Sequence, residues 1–208
     1  MSGKFIVFEG IDGSGTSTQA QLLQDYLISN SRKALSTAEP SPGPIGNMIR
    51  EIHTKRIAVT DDRNSREKLL SYLFAADRCD HLYNSINGII KQVEAGYYVL
   101  STRYYLSSLA YHVFNTDDFE YVYQLNKDFP LPDYTFYLDC PIDRALRRIS
   151  VSRVPDINEE QSNLRRVYEN YHIALARYPG AFSVIDALQN PADVHARIKS
   201  ILSEKGIL

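Results

Sequence analysis

The stretch from Phe5 to Ile28 constrains the fold more than any other. Phe5-Ile-Val-Phe8 is an unbroken apolar run that ends in Glu9 and then in Gly10-Ile-Asp-Gly-Ser-Gly15. An apolar run of that length, closed by glycines, reads as a strand of a parallel sheet covered on both faces. Thr16-Ser-Thr-Gln19 follows, and Ala20, Leu23, Tyr26, Leu27 and Ile28 recur at helical spacing, so a helix begins where the glycines stop. A strand, a tight turn and a helix N-terminus gather backbone N–H groups and a positive dipole end around one point, an arrangement suited to a phosphate.

The spacing from Gly10 to Gly15 is that of the phosphate-binding loop Gly-x4-Gly-Lys-[Ser/Thr], with Thr16 standing where the lysine belongs. On this pattern Gly10, Gly13, Ser14, Gly15, Thr16, Ser17 and Thr18 are the nucleotide-phosphate residues, and the Ser17 hydroxyl is the ligand expected for Mg²⁺. The plainer alternative is a glycine turn that joins a strand to a helix and binds nothing.

A chain of 208 residues suffices for a single domain, 1–208, with at most a small lid. A net charge of −2 with mixed signs argues against a broad nucleic-acid footprint, so an anionic ligand must be met locally. No apolar run approaches the length of a membrane span, and a strand starts almost at Met1, which together predict a cytoplasmic protein. Cys79 and Cys140 lack metal-ligand spacing and are expected to be buried thiols.

Further strands are expected at 34–37, 97–101, 134–139 and 182–186, making five in all. Helices are expected from 45, over 65–94 as one long helix or two, after Arg103, over 141–150 and 159–177, and from Pro191 behind an Asn190 cap. Alternation of this kind predicts a parallel sheet with helices on both faces. Pro40, Pro42 and Pro44 stiffen the loop after the second strand, at the end of a parallel sheet where ligand crevices form. Arg103 lies just beyond the third strand, where a guanidinium fork suits a phosphate monoester, although a surface ion pair would look the same. Phe74 and Arg78 share a helix face. By residue type alone they read as a core ring and a solvated cation.

The phosphate loop, Glu39-Pro40, Leu73-Phe-Ala-Ala-Asp-Arg78, Arg103-Tyr104 and Pro132-Asp-Tyr-Thr-Phe-Tyr-Leu-Asp139 together resemble the thymidylate kinase family over nearly the whole chain. The resemblance implies a three-layer α/β P-loop kinase fold, five parallel strands in the order 2-3-1-4-5, a lid at about 150–158 and a homodimer built from helix faces. It implies transfer of the γ-phosphoryl group of ATP, with Mg²⁺, to dTMP. In that family the Asp12 position meets the 3′-OH of the acceptor, the Phe74 position stacks on the base and the Arg78 position hydrogen-bonds its carbonyl edge. The resemblance further implies acceptor-site roles for Glu39, Arg103, Tyr104, Ser107 and Tyr111; Tyr104, Tyr105 and Tyr111 are candidates to wall the deoxyribose, although core aromatics would look the same in the sequence. Asp186 and Ala187 match the adenine turn, and Arg153 is the lid residue placed to swing over the transferring phosphate. Arg103, Arg153 and Thr16 are thus the catalytic candidates.

Four positions depart from the family pattern: Thr16 for lysine, Ala38 for the arginine often found before Glu-Pro, Thr102 for the aspartate before Arg103, and Ile157 for the arginine after Asp156. Loss of one well-placed donor to a developing oxyanion typically costs about 10²–10³ in rate. Two other readings therefore stand beside an active dTMP kinase: a nucleotide-binding protein without catalysis, and a kinase of another nucleoside monophosphate.

Overall fold

The computed structural model describes residues 3–150 and 157–208. Five parallel strands, β1 (Lys4–Glu9), β2 (Ala34–Ala38), β3 (Tyr98–Thr102), β4 (Tyr134–Asp139) and β5 (Phe182–Asp186), form one sheet in the order β2-β3-β1-β4-β5. Around it, in chain order, lie α1 (Thr16–Ser29), α2 (Pro44–His53), α3 (Arg63–Tyr83), α4 (Ile89–Glu94), α5 (Tyr105–Tyr111), α6 (Thr116–Asn126), α7 (Ile142–Ser150), α8 (Ile157–Ala176) and α9 (Pro191–Glu204). This is the P-loop kinase arrangement.

β1 is central because it is apolar on both faces: Phe5, Ile6, Val7 and Phe8 are all buried. Phe8 pairs with Phe136 of β4, the rings stacked at 5.6 Å, and Phe5 meets Tyr104 edge-on at 5.2 Å. Strand order reverses at β1, since β3 lies on one side and β4 on the other. Such a reversal opens a crevice at the carboxyl ends of the strands, and the glycine loop after Glu9 projects into it. A smaller apolar cluster of Ile49, Ile52 and Leu70, with Val59, Leu73 and Phe74 against it, joins α2 to α3 beside that crevice.

The 65–94 region resolves into two helices. α3 stops at Tyr83, Asn84 Oδ1 accepts the Ile86 amide at 2.9 Å, and the turn ends at Gly88, the N-cap of α4. Sequence patterning gave no account of α6, whose start is fixed by a capping box in which Asn115 accepts from Asp117 and Asp118 amides and Asp118 accepts from that of Asn115. Cys140 is buried as expected, but Cys79 is exposed, because α3 turns that position away from the sheet. No described helix is long and apolar enough to cross a membrane.

Candidate active site

The loop after β1 needs its glycines. Gly13 has φ +78°, and a Cβ there would stand 2.6 Å from the Ala145 carbonyl oxygen. Gly10 has φ +155°, and a Cβ there would meet Ser14 Oγ at 2.6 Å. Ser14 is buried, and its hydroxyl has no hydrogen-bond partner among the described residues. Gly15 caps α1 without a side-chain hydrogen bond, so no capping side chain occupies the first amides of that helix. A concave backbone, an orphaned hydroxyl and open helix amides together suit a chain of phosphates. Thr16 is half-buried, whereas Ser17 and Thr18 are exposed.

Beside the loop lies a cavity of ≈ 150 Å³ lined in part by Gly15, Thr18, Arg148, Ala187 and Gln189. Arg148 of α7 ties it together. Its Nη1 donates to the Gly13 and Ser14 carbonyls at 3.0 and 3.2 Å and its Nη2 to the Ala187 carbonyl at 3.1 Å. Asp186 accepts the Leu188 amide at 2.9 Å, which shapes the turn after β5. Nothing in the local sequence singles out Arg148, because its partners are backbone carbonyls from two distant loops.

On the other side of the loop Arg103 leaves β3 at φ +71°, with its amide donating to the Phe8 carbonyl at 2.8 Å. A residue with a side chain holds that left-handed conformation only when its surroundings impose it. Arg103 Nη2 donates to Asp12 Oδ1 and, at 3.0 Å, to Tyr111 Oη, and the guanidinium lies 4.4 Å from the centre of the Tyr111 ring. Tyr111 Oη also accepts the Asp12 amide at 3.2 Å. Asp12, Arg103 and Tyr111 thus form one cluster, with Nε and Nη1 of Arg103 without hydrogen-bond partners among the described residues. α8 orients Tyr111 from behind: Arg166 Nη1 donates to the Tyr111 and Val113 carbonyls at 3.2 and 2.7 Å, and Asn170 Nδ2 to those of Ala110 and Val113 at 3.0 and 2.8 Å.

Arg78 is neither solvated nor open to the crevice. Its side chain and that of Glu39 are each only 1% exposed and form an internal ion pair, with Arg78 Nε donating to Glu39 Oε2 at 3.0 Å. Asn126 and Ser108 accept its other N–H groups. Two neighbours of Arg78 on α3, Asp77 and His81, complete the anchorage of β2 and its following loop. Asp77 accepts the Ser41 amide and hydroxyl at 2.7 and 2.6 Å, and His81 Nε2 lies 2.7 Å from Thr37 Oγ1. Tyr104 requires a correction. It is a core residue whose hydroxyl donates to the Pro130 carbonyl at 3.0 Å, because the turn at Arg103 points the next side chain under the sheet. Ser107 is likewise turned inward, donating to Glu9 Oε2. Phe74, half-buried, packs against the Ile49–Ile52–Leu70 cluster, with His112 4.9 Å and His53 6.3 Å away between ring centres. The histidines are scattered in sequence, so only the fold brings these two to one ring.

Arg153 and the 151–156 part of the expected lid lie outside the described residues. Among the described residues no group of three or more His, Cys, Asp or Glu is placed to hold a metal ion. The exposed Ser17 hydroxyl beside the phosphate cradle suits a cation that arrives largely ligated by nucleotide oxygens.

The sheet order, the glycine loop at its switch point and the open helix amides define a P-loop kinase. The family profile described as Thymidylate kinase matches residues 8–198. A thymidylate kinase of Desulfotalea psychrophila is 35% identical over 205 residues, covering 96% of both chains. Proteins named probable thymidylate kinase from Pyrococcus horikoshii and Thermococcus kodakarensis are 32% and 35% identical, over 99% and 95% of this chain and 98% and 96% of their own. The chain belongs to the thymidylate kinase family.

Proposed function

We propose that this chain transfers the γ-phosphoryl group of ATP to dTMP, giving dTDP and ADP. An oxygen of the dTMP phosphate bonds to the γ-phosphorus as the bond to the β–γ bridging oxygen breaks, and ADP leaves with the electron pair. The observation that carries this reading is the Asp12–Arg103–Tyr111 cluster, which abuts the phosphate loop, so one crevice can hold donor and acceptor phosphates end to end.

Gly10, Gly13, Ser14, Gly15, Thr16, Ser17 and Thr18 cradle the donor phosphates, and Asp186 and Ala187 bound the adenine end. The Ser17 hydroxyl would hold Mg²⁺ brought in with ATP, and the ion would supply charge neutralisation. Arg103 presents Nε and Nη1 to the acceptor phosphate. Asp12 accepts from the sugar 3′-OH, Tyr111 walls the deoxyribose, and Phe74 meets the base. Glu39 and Arg78 frame the base end of the slot through their ion pair. The chain works as one catalytic domain in the cytoplasm, where ATP and dTMP are found. Exposed Met48, Tyr72 and Tyr83 on α2 and α3 suit a helix-face homodimer.

Purified protein with ATP, Mg²⁺ and dTMP is expected to release ADP and dTDP, read by chromatography, with dUMP, dCMP and AMP as competitors. Turnover of another monophosphate but not dTMP would overturn the assignment. Binding of dTMP without ATP consumption would mark a non-catalytic member. Thr16 removes one cation from the donor side, so Thr16→Lys is expected to raise kcat by about tenfold or more with little change in KM for dTMP. An unchanged kcat would mean that another cation already fills that role.

A further inference from the structure

Glu9, the last residue of β1, is a carboxylate with no exposed surface. A structural strand end at this depth calls for an apolar side chain, because burying a carboxylate carries a cost unless its oxygens are satisfied. Here they are satisfied by the acceptor side of the crevice. Oε1 accepts the Tyr104 amide at 2.9 Å and the Ser107 amide at 3.3 Å. Oε2 accepts the Ser107 hydroxyl and, at 3.0 Å, the Tyr171 hydroxyl of α8. Tyr171 Oη also lies 2.7 Å from Ser107 Oγ and 3.2 Å from the Gly10 carbonyl oxygen. One carboxylate therefore touches the turn immediately after Arg103, and its Tyr171 partner touches the first residue of the phosphate loop.

We propose that Glu9 is a positioning residue: it holds the Tyr104–Ser107 turn so that Arg103 keeps its left-handed backbone and its aim at the acceptor phosphate, and through Tyr171 it ties that aim to the phosphate loop. This rests on the acceptor role given to Arg103 above. Arg103 is the residue that benefits, since its backbone sits in a conformation that must be imposed from outside. The described charged and titratable groups that act on Glu9 or feel its charge are Arg103, Tyr105, Tyr171 and Tyr178.

Burial raises the Glu9 carboxyl from 4.5 to about 7, against the opposing pull of the Ser107 hydroxyl and the Arg103 charge. Ionised, it accepts from all four donors. Protonated, one oxygen must itself donate, so the turn loses part of its hold. The acceptor affinity should then fall as pH drops through about 7.

Steady-state kinetics of the full chain between about pH 5.5 and 8.5 test this, together with amide hydrogen exchange over residues 103–107. Glu9→Ala is expected to raise KM for dTMP by about tenfold or more with a much smaller change in KM for ATP, and to speed exchange of the Tyr104 and Ser107 amides. Glu9→Gln keeps an oxygen for the two amides and an N–H for the hydroxyls. As a fixed mimic of the protonated acid it should hold KM for dTMP at every pH near the value the native chain shows below the inflection, well under that of Glu9→Ala, and lose the inflection near pH 7. If Glu9→Ala fails to fold, the pH profile and exchange of Glu9→Gln decide. The proposal is overturned by an unchanged KM for dTMP and unchanged exchange in folded Glu9→Ala, by equal losses for both substrates, or by an inflection that persists in Glu9→Gln. Absence of dTMP turnover in the native chain would defeat the functional reading, while the exchange measurement would still judge Glu9.

Discussion

Replacing Arg103 by alanine is expected to lower kcat/KM for dTMP by about 10²–10³, the usual cost of removing one donor aimed at phosphate charge. The expectation rests on two features of the site. Arg103 is the described cation that reaches both Asp12 and Tyr111, and its Nε and Nη1 are left for a phosphate. Its partly exposed side chain, 24% accessible, lies at the crevice and outside the core, so the folded state should survive the change. Lysine should restore little, because a single ammonium cannot bond Asp12 and Tyr111 while spanning two phosphate oxygens. Initial rates of ADP release over a range of dTMP concentrations check this. A loss smaller than about threefold would show that the acceptor phosphate is held by other groups.

Arg78→Ala should act on stability first. It would leave the buried Glu39 carboxylate with only the His81 ring, 3.5 Å away, among its described side-chain partners and strand the Asn126 and Ser108 oxygens, and breaking such a pair costs about 3–5 kcal/mol. Urea unfolding is expected to show a lower midpoint with little change in slope. Glu39→Ala should cost a similar amount, and the double variant should cost less than the sum, because each single change strands the other partner. Additive costs would mean that the two residues contribute independently. The pair is thus part of the buried structure that ties α3 to the turn after β2.

The sheet was legible because most strand ends are marked locally: Gly3, Gly96, Pro132 and Gly180 stand before β1, β3, β4 and β5, Gly10, Pro40 and Pro141 follow β1, β2 and β4, and the Gly10–Gly15 spacing points to the switch point. α6 was not, because its anchor is a capping box in a polar stretch and its apolar face is shared with aromatic residues. That Asp12 and Arg103 lie in turns beyond strand ends was legible, whereas their hydrogen bonds to each other and to Tyr111 were not. Tyr104 was misplaced because nothing in a tyrosine-rich run tells which ring turns under the sheet. That depends on the positive φ of Arg103, a tertiary effect. Glu9, Asp77 and Arg148 were invisible for a common reason: each bonds backbone groups from a distant segment, and such pairing leaves no periodic trace. The same holds for His53 and His112, which meet Phe74 only in the folded chain.

α5 has seven residues, too few to persist as a helix in water without support. Its final carbonyls are gripped by Arg166, whose bond to the Tyr111 carbonyl spans 55 residues of sequence. The direction of the Tyr111 ring is therefore dictated by α8, much as a pointer is set by the axle that carries it. A rotation of α8 would change the width of the crevice at Tyr111 while every residue lining it stayed the same.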